Sequence, residues 1–337
     1  MRESIIEVLI CPQCGKRGWS LQVNHRNAYE ITDGLLTCSH CDCHFEIEKG
    51  VVNLLDAPSV TVVSEIKGWQ KFHTPERNPE QFRDEWLRSL PRLDSKVSND
   101  AASVQAWNSH GDNFDLALTQ LSITGKERIL EIGAGRCWAT AVFARHGCCV
   151  IALDVVRTKY IGLESGEVFL DQAVYFDRVQ SDMAKLPFAE GSFDIVFSTA
   201  TVHHSPDLNE VFSEVARVLK RGGRFVAIND TVAGLFDGEL DLEEISLGIN
   251  EHAYSIFSYK NAMKSVGLAP RIYLPASWRR QLDEGKREMR SPMKKMCFRL
   301  TCWCWHWRVL RVLLEWILVN WAQLLWGIGL QAIAEKR

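Results

Sequence analysis

Residues 111–275 alternate between short β-rich segments and segments with helical periodicity. Four apolar, β-branched runs read RILEI, CVIALD, FDIVFST and GRFVAIN. Before the last run lies a segment whose apolar residues recur at the spacing of one helix face: Leu208, Val211, Phe212, Val215 and Leu219. Gly222 and Gly223 are expected to end this helix. The alternation predicts an α/β fold, a Rossmann-like, doubly wound and mainly parallel sheet with helices on both faces.

The stretch ILEIGAGRCWA predicts a ligand-binding turn directly after the first of these strands. Gly133 and Gly135 let the backbone turn tightly and approach a ligand, and the following helix offers free N–H groups at its start. A dinucleotide fingerprint would have a third glycine where Trp138 stands, and the Gly-Lys-Ser/Thr of a phosphate loop is missing. The turn is therefore expected to hold a ligand other than a diphosphate.

Two acids near this turn narrow the choice of ligand. Asp154 ends the next strand, about twenty residues on, where a ribose-binding carboxylate belongs. Glu131 precedes the turn, where it would repel phosphate but accept from a cation or a hydroxyl. A nucleoside with a cationic, amine-bearing tail satisfies both acids, and S-adenosylmethionine is such a molecule. The structural alternatives are a solvated strand end for Glu131 and a helix N-cap for Asp154.

Five motifs in this order make residues 111–275 resemble the class I S-adenosylmethionine-dependent methyltransferases, specifically the type 11 group. They are EIGAGR, Asp154, Ser181-Asp182-Met183, LPFAEGSFDIVFSTATVHH and LKRGGRFVAIND. The resemblance implies an enzyme that transfers a methyl group from S-adenosylmethionine. It implies cofactor contacts from eight residues: Glu131, Gly133, Ala134, Gly135, Asp154, Asp182, Met183 and Thr199.

The methyl acceptor is not identified by these motifs. His203 follows the fourth strand at the ligand-binding edge and is the candidate general base, with a packing role as the alternative. A long insertion from Asp230 to Phe257 carries four residues that suit a polar ligand such as a sugar: Asn250, Glu251, His252 and Tyr254. A polar lid without a specific role is the alternative for this insertion.

Two C-x-x-C pairs near the N-terminus predict a metal site. Cys11 and Cys14 form one pair, and Cys38 and Cys41 form the other, which together give the four thiolates of a structural Zn²⁺ site. His40, Cys43 and His44 are surplus ligands, and two unrelated pairs of buried thiols are the alternative. The cysteine usage favours a reducing, cytoplasmic setting.

Residues 5–57 resemble the short zinc-ribbon modules related to the small activator subunit of some methyltransferases. The resemblance covers LICPQCGKRGWSLQV, GLLTCSHCDCHFEIEKG and VVNLL. WSLQV and GLLTC are expected to pair as a hairpin. The resemblance implies a structural zinc and a possible protein partner at the ribbon.

The chain is thus divided into four parts. Residues 1–57 form the zinc-ribbon module, 58–110 a helical connector, 111–275 the methyltransferase domain, and 276–337 a basic and then apolar, Trp-rich helical tail. The formal net charge of -3 gives no strong signal for nucleic-acid binding.

The tail has three interpretations. No residue from Trp316 to Ala334 is charged, close to the roughly 20 residues that a spanning helix needs, but Asn320, Gln323 and Gln331 interrupt the run. A helix lying on a membrane is the first interpretation, since basic residues precede it and its tryptophans suit the headgroup region. A spanning helix is the second, and a helix that completes the core is the third. The first two would place the domain at the inner face of the membrane.

These observations predict an S-adenosylmethionine-dependent methyltransferase with an unidentified acceptor, such as a small molecule or a lipid-linked glycan at a membrane. A docking scaffold with a cofactor-sensing or inert domain is the first alternative, and the intact acids argue against it. Methylation of RNA or of a translation factor is the second. Within it, methylation of adenine or glutamine is disfavoured because TATVHH stands where amino-group methyltransferases carry an Asn/Asp-Pro-Pro-aromatic run, and other RNA sites stay open.

Overall fold

The computed structural model describes residues 1–234, 241–285, 292–319 and 329–337. In these ranges the strands are β1 (Trp19–Arg26), β2 (Ile31–Cys38), β3 (His44–Glu48), β4 (Val51–Asn53), β5 (Arg128–Ile132), β6 (Cys149–Asp154), β7 (Asp177–Gln180), β8 (Phe193–Thr199), β9 (Leu219–Asp230), β10 (Leu268–Ile272) and β11 (Leu330–Lys336). The helices are α1 (Val60–Phe72), α2 (Asp84–Ser89), α3 (Ala101–Leu121), α4 (Trp138–Arg145), α5 (Glu167–Leu170), α6 (Leu208–Val218), α7 (Leu242–Leu247), α8 (Ile256–Ser265), α9 (Ala276–Glu284), α10 (Pro292–Trp305) and α11 (Arg308–Ile317).

All of these strands belong to one continuous sheet, in the order β1-β2-β3-β4-β7-β6-β5-β8-β9-β11-β10. The six strands from β4 to β9 in this order run parallel, and each end of the sheet is antiparallel. The predicted α/β class is confirmed. The strand order reverses at β5, which pairs with β6 on one side and β8 on the other, and ligands bind at such a switch point.

The N-terminal module extends the sheet at the β7 edge. β1 and β2 form the predicted antiparallel hairpin, in which Trp19 lies opposite Cys38. β4 then pairs in parallel with β7, with Val51 opposite Arg178. The module therefore shares its main-chain hydrogen bonding with the central sheet, although the sequence had suggested a separate unit.

Helix α6 ends earlier than the sequence predicted. Leu219, expected on the apolar helix face, has an extended backbone and begins β9. Gly222 and Gly223 consequently lie inside β9 and do not end the helix. The expectation was wrong because an apolar residue at helical spacing fits a helix and a buried strand equally well.

The predicted boundary between residues 110 and 111 falls inside α3. This helix begins at the N-cap Asp100, whose side chain accepts a hydrogen bond from the backbone N–H of Ala102. Its second half buries Phe114, Ala117 and Leu121 against the central sheet. The connector and the methyltransferase domain are therefore joined by one continuous helix.

The C-terminal tail is helical only in part, which corrects the sequence expectation. α10 and α11 pack on α9, where Trp278, Phe298, Trp305 and Leu318 share a small core. Residues 330–336 form β11, which lies between β9 and β10 and completes the sheet. Residues 320–328 of the uncharged stretch, including Asn320 and Gln323, lie outside the described residues. Within the described ranges, each helix is too short or too polar to cross a bilayer.

Candidate functional site

A large cavity opens at the carboxyl ends of the central strands. Its volume is about 1630 Å³. The residues after β5, β6, β7 and β8 form its floor. Helices α1 and α3 of the connector supply the opposite wall. The cavity therefore lies where the strand order predicts a ligand.

The glycine turn forms one side of the cavity. Gly133 and Gly135 have φ values of +65° and +46°, in the left-handed region. A Cβ on Gly133 would lie 2.0 Å from the Thr201 side chain, so only glycine fits there. The backbone N–H of Ala134 donates to the carbonyl of Leu153 at 3.0 Å and ties the turn to β6. Gly133, Ala134 and Gly135 all line the cavity, and their contact with a cofactor stays a prediction.

Asp154 is held at the end of β6 by the turn itself. Its Oδ2 accepts from the N–H of Gly135 at 2.7 Å, and its Oδ1 accepts from the N–H of Val156 at 2.7 Å. Burial raises the pKa of Asp154 to about 6. The carboxylate lines the cavity with acceptor capacity left on both oxygens.

Glu131 lies behind the turn and outside the cavity wall. It is fully buried, and its Oε2 accepts from the Thr140 hydroxyl. Burial raises the pKa of Glu131 to about 8. The resemblance implies a direct contact between Glu131 and the ligand, but the glycine turn lies between this side chain and the cavity. Glu131 is therefore placed to support the turn.

The remaining predicted cofactor residues follow the strands on either side of β5 and β6: Asp182 and Met183 come after β7, and Thr199 ends β8. Asp182, Met183 and Thr199 all line it. The Oδ1 of Asp182 accepts from the N–H of Ala184 at 2.9 Å, which fixes the loop after β7. The Thr199 hydroxyl accepts from Asn229 Nδ2 at 3.2 Å.

The connector supplies wall residues that sequence reasoning missed. Glu65 and Trp69, four residues apart on α1, face the cavity, and Trp69 Nε1 donates to Glu65 Oε1 at 2.7 Å. Burial raises the pKa of Glu65 to about 7. The helical spacing of the two residues in EIKGW was the available signal, but nothing local indicates which surface α1 covers.

A half-buried arginine completes the wall beside the glycine turn. Arg136 donates through Nη2 to Gln81 Oε1 at 2.6 Å and through Nε to the carbonyl of Tyr160 at 2.8 Å. Burial lowers the pKa of Arg136 to about 10. Burial and the nearby Arg136 lower the pKa of His73 to about 3, so His73 is neutral there.

His203 and His204 differ in their surroundings. His203 is buried behind the wall, and its Nδ1 lies 2.9 Å from Asp230 Oδ1. His204 lines the cavity and donates from Nδ1 to the carbonyl of Asn250 at 2.6 Å. The catalytic role of His203 stays a prediction, and the geometry limits it because His204 is the histidine that reaches the cavity.

The four candidate substrate residues of the insertion do not act as one group. Asn250 lines the cavity, and its backbone N–H donates to Glu65 Oε2 at 2.6 Å. Glu251 points to the two histidines from behind the wall. The rings of His252 and Tyr254 lie 5.8 Å apart and are tilted by 34°, and the Tyr254 hydroxyl donates to the carbonyl of Ser205 at 2.8 Å.

The predicted metal ligands converge in the N-terminal module. The sulfurs of Cys11 and Cys41 lie 3.6 Å apart, as do those of Cys14 and Cys38. A tetrahedral Zn²⁺ site with four thiolates has sulfur separations of about 3.8 Å, so the four cysteines fit the ion. Cys43 lies beside Gln13 and outside this group.

Comparisons with known proteins agree with the site. Residues 130–227 match the family described as "Methyltransferase domain". The chain is 25% identical over 206 residues to a 27-O-demethylrifamycin SV methyltransferase of Amycolatopsis mediterranei, covering 54% of this chain and 74% of the relative. It is 29% identical over 147 residues to a sterol 24-C-methyltransferase of Gibberella zeae, covering 40% of this chain but only 38% of that relative.

A solved structure shares the fold over most of the chain. It is a geranyl diphosphate C-methyltransferase from Streptomyces coelicolor, in complex with Mg²⁺, geranyl-S-thiolodiphosphate and S-adenosyl-L-homocysteine. The TM-score is 0.54 at 14% identity, over 83% of this chain and 99% of that one. The solved structure confirms the fold, while the match of residues 130–227 and the methyltransferase relatives confirm the resemblance to class I S-adenosylmethionine-dependent methyltransferases drawn from the motifs.

Proposed function

We propose that this methyltransferase transfers the methyl group of S-adenosylmethionine to an acceptor delivered at a membrane surface, such as a lipid-linked glycan. The position of Asp154 is the observation that supports S-adenosylmethionine as the cofactor. Two backbone N–H groups fix its carboxylate at the cavity wall, where the remaining lone pairs would accept from the ribose hydroxyls. The cofactor brings an already activated methyl group, so the protein mainly has to align the acceptor.

The other cavity residues support this assignment. The backbone of Gly133 to Gly135 would lie against the amino-acid part of the cofactor, with Arg136 as a cation near its carboxylate. Asp182 and Met183 would contact the adenine, with the carboxylate accepting from the exocyclic amine. An inert scaffold would have no need for carboxylates held half-buried at the cavity wall, because removing a charged group from water costs stability.

Calorimetry of S-adenosylmethionine binding tests the cofactor site. We expect micromolar binding, about 8 kcal/mol of free energy, to be lost in Asp154→Ala. The matched control is Asp171→Ala, which removes a largely exposed carboxylate outside the cavity. Absence of binding by the folded wild type would favour the scaffold alternative.

The tail supports a membrane-delivered acceptor. Trp303, Trp307 and Trp316 are each more than half exposed on α10 and α11, and further exposed apolar residues surround them: Met296, Leu300, Leu310, Val312, Leu313 and Ile317. Exposed Lys295, Arg299 and Arg311 add positive charge to the same helices. Tryptophan and basic residues together suit the headgroup region of an anionic bilayer.

Sedimentation with vesicles of phosphatidylcholine and phosphatidylglycerol tests this part. A tail deletion is unsuitable because β11 belongs to the central sheet. We expect Trp303→Ser with Trp307→Ser to abolish sedimentation, whereas Phe257→Ser, which removes an exposed aromatic residue elsewhere, leaves it unchanged. Equal sedimentation of all three proteins would leave a small-molecule acceptor as the better proposal.

The cysteine group is proposed to hold a structural Zn²⁺. Its four sulfurs close the coordination sphere, which leaves no position for a reacting group. Such a ribbon would dock at least in part on its own chain, because β4 already pairs with β7. Zinc would thus maintain the edge of the sheet that borders the cavity.

A further inference from the structure

A second group of metal-ligating side chains lies behind the cavity, far from the cysteines in sequence. It consists of His203 and His204, after β8, and Glu251, after α7. Their ligand atoms all lie within 4.8 Å of one another. Glu251 Oε1 is 3.5 Å from His203 Nε2 and 3.2 Å from His204 Nδ1. The two histidine rings are 4.1 Å apart.

These separations match the coordination sphere of a small divalent ion. With bonds of about 2.0–2.1 Å, two ligands of a tetrahedral site are about 3.3 Å apart. Both distances from Glu251 Oε1 lie close to this value. Two imidazoles and one carboxylate are a ligand set that suits Zn²⁺ and other first-row divalent metals.

One atom of the group lacks a partner. Glu251 Oε1 is buried and makes no hydrogen bond to any described residue, and only 5% of its side chain is exposed. A buried carboxylate oxygen is costly to leave unpaired. A metal ion between Glu251 and the two imidazoles would supply the missing interaction.

The surroundings orient the ligands for such an ion. Asp230 Oδ1 accepts from His203 Nδ1 at 2.9 Å, which turns His203 Nε2 toward Glu251. Carboxylates that hold the far nitrogen of a metal-ligating histidine are typical of such sites. His204 Nδ1 donates to the carbonyl of Asn250 at 2.6 Å, and it would release this proton to bind the metal.

We propose that His203, His204 and Glu251 bind a divalent first-row transition metal, independent of the ion held by the cysteines. His204 and Asn250 also line the cavity, so the open coordination position faces it. There it would bind an oxygen atom of the ligand in the cavity, such as a hydroxyl, carboxylate or phosphate oxygen. Only this last step rests on the proposed methyltransferase function.

The arrangement without a metal is the competing explanation. Burial opposes protonation of His203, but its hydrogen bond with Asp230 and the nearby carboxylate of Glu251 raise its pKa to about 9. A protonated His203 would then serve as the cation between the two carboxylates. Metal content distinguishes the two arrangements, because only one of them holds a second ion.

The test uses the full chain loaded with Zn²⁺, followed by removal of free ions and elemental analysis. We expect two zinc ions per chain in the wild type, one in Glu251→Gln and one in Cys14→Ser. Titration of the zinc-depleted histidine site with Mn²⁺, followed by electron paramagnetic resonance, should show binding weakened at least tenfold in Glu251→Gln. Mn²⁺ is chosen because it has little affinity for thiolate sites.

The controls keep the result independent of folding and of the proposed function. His252→Gln removes an imidazole from the same segment but outside the group, and it should retain both ions. Asp154→Ala should lose S-adenosylmethionine binding and keep the metal. One zinc ion per chain in the wild type, unchanged in Glu251→Gln and without Mn²⁺ binding, would overturn the proposal, as would loss of the second ion in His252→Gln.

Discussion

The two ends of the chain extend the same sheet in opposite directions, but they differ in which side chains they bury and which they leave exposed. At the N-terminal end, β4 joins β7, and Glu30 forms a buried ion pair with Arg178, which is 1% exposed. At the C-terminal end, β11 joins β9, but the helices before it leave Trp303, at 60%, and Trp307, at 56%, exposed. A buried charged contact indicates a partner within the chain, whereas exposed tryptophans indicate one outside it.

The first prediction concerns the cysteine group, where the largest effect is expected. Cys14→Ser should abolish zinc binding at the cysteine group and lower the free energy of unfolding by at least about 5 kcal/mol, because structural zinc contributes folding energy directly. It should also weaken S-adenosylmethionine binding, since residues beside the group, among them Ile10 and Pro12, line the cavity. Urea denaturation and calorimetry measure the two effects.

The matched control for this change is Cys43→Ser, because Cys43 lies outside the four-sulfur group. It should keep the metal and the stability of the wild type. If Cys14→Ser changed stability as little as Cys43→Ser does, the ribbon would not stabilise the sheet. The contrast drawn between the two ends of the chain would then be wrong.

The second prediction tests the buried ion pair between the ribbon and the sheet. Glu30→Ala leaves Arg178 and the amino group of Met1 without their carboxylate, and should cost about 3–5 kcal/mol of unfolding free energy. Glu3→Ala breaks the exposed pair with Arg26 and should cost less than about 1 kcal/mol. Chemical denaturation of both variants at one pH compares them. Equal losses of unfolding free energy in the two variants would mean that the buried ion pair stabilises the protein no more than the exposed one.

The third prediction concerns the pH dependence of cofactor binding at Asp154, in the centre of the sheet between the two edges. Asp154 must be ionised to accept two ribose hydroxyls, and burial raises its pKa to about 6 in the free protein. Cofactor affinity should therefore fall as pH decreases through this value, by about tenfold from pH 7 to pH 5. The other acids near Asp154 are Glu65 on α1 and Glu131 on β5.

Calorimetry of Asp154→Asn at the same pH values is the comparison that assigns this dependence. The variant should bind weakly and with little change between pH 7 and pH 5. If the affinity of the variant fell with pH as steeply as that of the wild type, the titrating group would be Glu65 or Glu131 and not Asp154. Neither result should depend on the tail, since none of the described tail residues lines the cavity.

The smallest effect on stability is expected at the C-terminal end. Trp303→Ser with Trp307→Ser removes exposed surface and should change the free energy of unfolding by less than about 1 kcal/mol. Trp305→Ser is the contrast, because Trp305 is 1% exposed and donates to Asp283 Oδ1 at 2.7 Å. It should cost about 3–5 kcal/mol. A large loss in the double variant would show that the exposed tryptophans serve the fold itself.

The sequence predicted the centre of the molecule well because its signals are local. Strands β5, β6 and β8 are short apolar runs, and a predicted cofactor residue comes at or just after the end of each, as Asp154 does in β6. The cysteine pairs carry their spacing in the sequence in the same way. Such patterns can be interpreted without knowledge of distant contacts.

The parts that the sequence missed depend on distant contacts. Glu65 and Trp69 become cavity residues only because α1 folds over the ends of the strands. Leu330, Ala332 and Ala334 are buried in β11 at strand spacing, but they follow an apolar run that fits a helix equally well. Their partner strands, β9 and β10, lie elsewhere in the sequence, so no local pattern specifies the pairing.

The position of β11 has a consequence for synthesis on the ribosome. β9 and β10 are made first, and β11 must later insert between them, antiparallel to both. Until residues 330–336 emerge, the nascent chain exposes the open edge of β9, which is a template for wrong pairing. Helices α10 and α11 emerge before that insertion, so their tryptophans can engage a surface while the catalyst is still incomplete.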